Sequence, residues 1–142
     1  MDATAALDRL REISSQVRTA VIFERGGNVI GSTLGDEQRA REVAQEAEQL
    51  LTEAERRRGD GEAAEEFAQL EVALRGGSVF VVRHGERLIA ATTPPEPTVG
   101  LVFYDLKSCL RDLAAEEAEP AKTRTATKKS GAVTRKKADE KS

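Results

Sequence analysis

The feature that most constrains this chain is an order of elements held by short, glycine-marked connections. Residues 19–24 (TAVIFE) are β-branched and apolar, too short and too stiff for a good helix. Gly26-Gly27-Asn28 supplies the positive φ angles of a tight hairpin, and residues 29–34 read as the returning strand. A long charged helix is expected over 36–58. Asp36 suits its N-cap, Glu37 its first turn and Arg56-Arg57-Arg58 its last turn. Gly59-Asp60-Gly61 ends it. Three more strands follow: 67–74, whose apolar residues alternate, then 78–83 (SVFVVR) and 87–92 (RLIAAT). Gly76-Gly77 and His84-Gly85-Glu86 join them, and strands joined by loops this short must be antiparallel.

Two flanking helices complete the pattern. Over 3–17, Ala6, Leu10, Ile13 and Val17 recur at helical spacing and Leu7 widens the stripe. Pro94-Pro95-Glu96-Pro97 breaks regular structure. A last helix over 99–117 then carries a stripe of Val102, Leu106, Cys109, Leu110 and Leu113. The expected order is α–ββ–α–βββ–α. Five antiparallel strands with helices on their faces make an α+β sandwich.

Charge divides the chain. From Pro120 onward the only apolar residues are alanines and Val133. Lys122, Arg124, Lys128, Lys129, Arg135, Lys136, Lys137 and Lys141 there oppose only Asp139 and Glu140. That is a segment of +6 on a chain of −3, which leaves the preceding 119 residues at −9. Such a segment cannot bury enough apolar surface to offset its chain entropy. The expectation is a folded domain over 1–118 and a disordered basic tail over 119–142. With only five aromatic residues the body has a modest core, and dimerisation would help it. The single Cys109 excludes an internal disulfide and fits a reducing compartment. No apolar run reaches the ~20 residues of a membrane span, and the first residues lack a signal-peptide pattern. A cytoplasmic protein is expected.

The side chains offer little for catalysis. Gly26–Thr33 has the glycine spacing of a phosphate-binding loop, but Ser32 stands where that loop needs lysine and Val29-Ile30 read as strand. A hairpin is the better reading. His84, the only histidine, is expected exposed in a turn, without the partners a general base or metal ligand needs. Cys109, on an apolar stripe, reads as inert packing. Glu62, Glu65 and Glu66 read as a solvated linker rather than a calcium loop. No catalytic, cofactor or metal residue is assigned, and the chain is not expected to be an enzyme. Arg56, Arg57 and Arg58 are candidates for contact with a partner's phosphates or carboxylates, although helix-end electrostatics alone accounts for them.

The whole pattern resembles the roadblock/dynein light chain family, including bacterial MglB-like regulators of small GTPases. Four pieces carry the match: the helix with Leu7, Leu10 and Ile13 leading into TAVIFERGGNVIGST, the alanine- and glutamate-rich helix from Asp36, the strand trio LEVALRGGSVFVVRHGERLIAATT, and Val99-Gly100-Leu101 opening a helix with Leu106, Leu110 and Leu113. The resemblance covers about residues 3–115 and not the tail. It implies a non-catalytic homodimer that binds a small Ras-like GTPase as regulator or scaffold, in some members stimulating hydrolysis. It also implies that the middle helices of two copies pack antiparallel and that the third strands pair. On this sequence the candidate interface is Val43, Ala47, Leu50, Leu51, Ala54, Leu70 and Val72. The physical reading agrees, because an uncovered third strand is an aggregation-prone edge that pairing with its copy would remove. The helix residues would also serve to cover their own sheet.

Two other functions compete. A dimeric adaptor could use the basic tail to bind nucleic acid or an anionic membrane surface by charge. A small-molecule sensor or enzyme of profilin- or PAS-like fold would need a pocket, for which the chain offers few residues.

Overall fold

The structure, a computed structural model, describes residues 2–58 and 67–126, with side chains except for 58 and 116–126. The elements run in the expected order: α1 (Ala3–Ile13), β1 (Thr19–Glu24), β2 (Asn28–Ser32), α2 (Glu37–Arg58), β3 (Phe67–Leu74), β4 (Gly77–His84), β5 (Arg87–Thr93) and α3 (Val99–Ala126). The five strands form one antiparallel sheet in the order β2-β1-β5-β4-β3. By compactness the chain divides into two units. One is Ala3–Arg111, with the whole sheet, α1, α2 and the start of α3; of the described residues the other takes Asp2 and 112–126.

Local chemistry sets the ends of the elements. Asp36 caps α2 as expected: its carboxylate accepts from the backbone N–H of Gln38 (2.9 Å) and of Arg39 (3.3 Å). Gly26 and Gly27 take φ of 95° and 90°, which only glycine adopts freely, and close the β1–β2 hairpin. β2 stops at Ser32, earlier than expected, because the Ser32 hydroxyl accepts from the Leu34 N–H (2.9 Å) and turns the chain. α1 is also shorter than the expected 3–17. Its last helical bond runs from Ser14 N–H to the Leu10 carbonyl, and by Arg18 the backbone is already bonded to Thr92 of β5. Ile13 is therefore left 55% exposed, outside the stripe assigned to it, and the buried residues are Ala3, Ala6, Leu7 and Leu10.

α3 continues past the expected end near Glu117 to Ala126, through Pro120. Alanine, glutamate, lysine and arginine all favour helix, which offsets the proline. The rest of the basic segment, including Lys128, Lys129, Arg135, Lys136, Lys137 and Lys141, lies outside the described residues, as do Glu62, Glu65 and Glu66; the side chains of Lys122 and Arg124 do as well.

Alternation along the strands gives the sheet two apolar faces. Val21, Phe23, Ala68, Val81, Leu88 and Ala90 point to α2 and meet its Ala40, Ala44, Ala47 and Leu51. Ile22, Phe80, Val82 and Ile89 alternate with them, so they point the other way, where Phe103 of α3 meets Phe80 edge-on at 5.0 Å. Three small alanines on α2 let the helix sit close to the sheet. Full burial of Leu51 contributes roughly 1.5–3 kcal/mol.

Candidate partner-binding surface

Among the described residues, the polar ties from α2 to the sheet lie along one flank. The Glu48 carboxylate accepts from the Gly26 N–H (3.1 Å), and Glu55 pairs with Arg83 near the end of β4. Both ties lie at the end of the sheet that carries the β1–β2 and β4–β5 turns. By helical spacing Val43, Leu50 and Ala54 fall on the opposite flank. Val43 and Ala54 are half-buried there and Leu50 is 44% exposed.

On that side of the sheet the described residues leave an edge uncovered. β3 is an edge strand, bonded to β4 alone among the described strands. Ala68 and Leu70 pack toward α2, so Val72 and Leu74 share their face. The register takes that face away from Arg83, which sits opposite Ala68, toward Gly77, opposite Leu74. Leu70 and Val72 are half-buried and Leu74 is 59% exposed. Val79 of β4 is half-buried beside Val72. Val43, Leu50 and Ala54 on that flank of α2 and Leu70, Val72, Leu74 and Val79 on the facing side of the sheet thus outline a candidate trough, with the edge of β3, bonded among the described strands to β4 alone, at its rim.

This arrangement sorts the residues assigned from the sequence. Val43, Leu50, Ala54, Leu70 and Val72 belong to the trough. Ala47 and Leu51 do not: both are buried against their own sheet and unavailable to a partner. The large side chains Val43, Leu50 and Leu51 drew the expected stripe toward themselves, whereas the buried face is centred on Ala40, Ala44, Ala47 and Leu51. Leu74 joins them, since the alternation of β3 puts it on the same face as Leu70 and Val72.

Arg56 and Arg57 are 73% and 79% exposed and share one partner, Glu53, at 3.0 and 3.3 Å. Such exposed intrahelical pairs hold weakly, so both guanidiniums are accessible to a partner. The Arg58 side chain lies outside the described residues. Arg56 also borders a polar cleft of about 470 Å³ with Gln45, Glu48, Gln49, Thr52, Glu53 and Gly26. That cleft carries no arrangement of nucleophile and base.

Gly26–Thr33 is a hairpin and strand, as expected. Cys109 is buried, its thiol 3.8 Å from the Ala6 carbonyl. His84 differs from expectation: it ends β4, half-buried, with its ring stacked on Phe67 at 4.6 Å. Strand register places it there, because His84 sits directly opposite Phe67. Asp105 is buried, and burial pushes its carboxyl above the usual carboxylate range. The nearby Ser14 side chain opposes that shift, although its oxygen reaches no partner at full hydrogen-bond geometry. Among the described residues no helix is long and apolar enough to cross a membrane.

Solved structures share this architecture. A roadblock/LC7 domain from Streptomyces avermitilis superposes with a TM-score of 0.70 at 20% identity, covering 83% of this chain and 99% of that one. The chain has the roadblock/LC7 fold. Myxococcus xanthus MglB matches this fold with a TM-score of 0.61 at 15% identity, over 82% of this chain and 88% of its own. An MglB with tetrameric arrangement matches with a TM-score of 0.58 at 21% identity, over 80% and 90%. No protein-family model matches the sequence, and neither does any curated protein.

Proposed function

We propose that this roadblock/LC7 chain is a non-catalytic homodimer that acts in the cytoplasm as a regulator or scaffold for a small Ras-like GTPase. The observation that carries the reading is the likeness to MglB structures over 82% and 80% of the chain. The family resemblance in the sequence supplies the GTPase as the class of partner. Physical features support the dimer. A second copy of α2 laid antiparallel in the trough would cover Leu50, Leu74 and Val79, and pairing of β3 with its copy would close the open edge. The MglB with tetrameric arrangement is itself a self-associating neighbour. Arg56 and Arg57, tied only to Glu53, are placed to meet acidic or phosphate groups of the GTPase.

Capture from native lysate on the full chain, with a GTP analogue and with GDP in parallel, tests the reading. A small GTPase enriched with the GTP analogue alone assigns a regulator and supplies the substrate for a hydrolysis assay. Equal enrichment assigns a scaffold. Capture of no GTPase in either state overturns the proposal.

The eight cations beyond Pro120 favour a second reading, a dimeric adaptor whose tail binds nucleic acid or an anionic membrane. Lysines near such a membrane contribute roughly 1 kcal/mol each. Removal of residues 120–142 should abolish that binding and leave GTPase capture intact.

A further inference from the structure

On the sheet face away from α2, at the start of β3, two cations meet one aromatic ring. Lys107 Nζ lies 5.8 Å from the Phe67 ring centroid and Arg111 Cζ lies 5.0 Å from it. The His84 ring stacks on the same phenyl group, 21° from parallel. Lys107 and Arg111 are four residues apart on α3, so they share one side of the helix despite their like charge. Attraction to the ring offsets that repulsion. Among the described residues neither joins an ion pair, whereas Arg56, Arg57, Arg83 and Arg87 each pair with a glutamate.

Among the described residues, the other charged groups nearby do not pair with either cation. Arg83 points to the opposite face, toward Glu55. Glu71 shares the face of Phe67 but lies farther along β3, where it accepts from the Ser78 hydroxyl at 3.2 Å. Glu86 is exposed in the turn after His84. Lys107 is half-buried and Arg111 is exposed. A guanidinium held by an aromatic ring keeps its in-plane N–H fork for a carboxylate, with part of the ordering cost already met.

We infer that Lys107 and Arg111, seated on the Phe67–His84 stack, form a recognition site for a carboxylate-rich protein segment. The rest of the body favours this assignment. The first 119 residues carry −9, so cations without an acidic partner are scarce on the body, and the exposed Arg56 and Arg57 already share Glu53. The site faces away from the α2 trough and is independent of whether that trough takes a second copy.

The test is residue-resolved NMR of the labelled full chain, titrated with acetylated, amidated hexaglutamate. Saturable shifts are expected at the Phe67 and His84 rings and at the Arg111 Nε–H. Replacement of both cations, Lys107→Gln with Arg111→Gln, should weaken the binding read at the rings roughly tenfold or more. Neutralising Lys128, Lys129, Lys136 and Lys137 to glutamine should leave the shifts at the rings in place. Shifts confined to residues 120–142, or no shifts, would overturn the proposal. So would ring shifts that appear only after Glu65→Gln and Glu66→Gln, which would assign the two cations to the chain's own acidic segment.

Discussion

The two edges of the sheet are built differently. β2 has five residues, carries a bulge at Ile30, and is backed so tightly by α1 that a Cβ on Gly31 would lie 2.7 Å from the Ala3 side chain. β3 has eight residues, pairs with β4 in unbroken register, and ends in an exposed Leu74 beside an uncovered trough. Short length and a bulge are the usual protections of an edge that must stay unpaired. A long, flat, apolar edge is a liability unless something pairs with it. The difference teaches that the two edges differ in protection: β2 is short, bulged and backed by α1, whereas β3 keeps the features of an edge that can pair, as the proposed dimer requires.

The largest effect on this contrast should come from Gly77, where the chain turns from β3 into β4. It sits at φ +149°, and a Cβ there would lie 2.0 Å from the Thr93 carbonyl oxygen. Gly77→Ala should cost about 3 kcal/mol or more, read by chemical denaturation, because backbone must move. Gly31→Val tests the closed edge. It should cost about 1–3 kcal/mol through overpacking against Ala3 and Leu7 while leaving the oligomer mass unchanged. A change in mass would show that β2 also serves as an interface.

Glu55→Gln probes the tie between α2 and β4. Side-chain exposures of 21% and 26% make its pair with Arg83 partly buried, so loss of the charge should cost about 1–2 kcal/mol. The loss should be smaller in high salt if solvent already screens the pair. Asp105 of α3 provides a control on the sheet face away from α2. Its raised folded pKa means that its contribution is fully present below the unfolded value and is lost as pH rises through the folded one. Asp105→Asn should therefore flatten the stability profile in that window and leave self-association untouched. A profile as steep as the unmodified protein's would contradict the assignment.

The element order was legible because glycines mark each turn and β-branched runs mark each strand. The Asp36 cap was legible for the same local reason. The rotation of α2 was not. Hydrophobicity favours Val43 and Leu50, but close approach to a sheet favours Ala40, Ala44 and Ala47, and the sheet decided. The trough follows from that rotation, since Leu50 is free for a partner only because Leu51 is not. The setting of His84 and of the Lys107–Arg111 pair depends on the Phe67–His84 register and on where α3 lands. Neither is a local property of sequence. Ile13 fits a helical stripe by spacing, but strand pairing already at Arg18 stops the helix first.

The most direct test of the assignment of β3 is sedimentation velocity of the full chain beside a Val72→Lys variant, across a tenfold range of concentration. Pairing of β3 with its copy predicts a species of twice the 15.4 kDa chain mass for the unmodified protein. It predicts an association at least tenfold weaker, about 1.4 kcal/mol, for the variant, with the protomer still folded. A monomer throughout, or a dimer indifferent to lysine at position 72, would contradict the account.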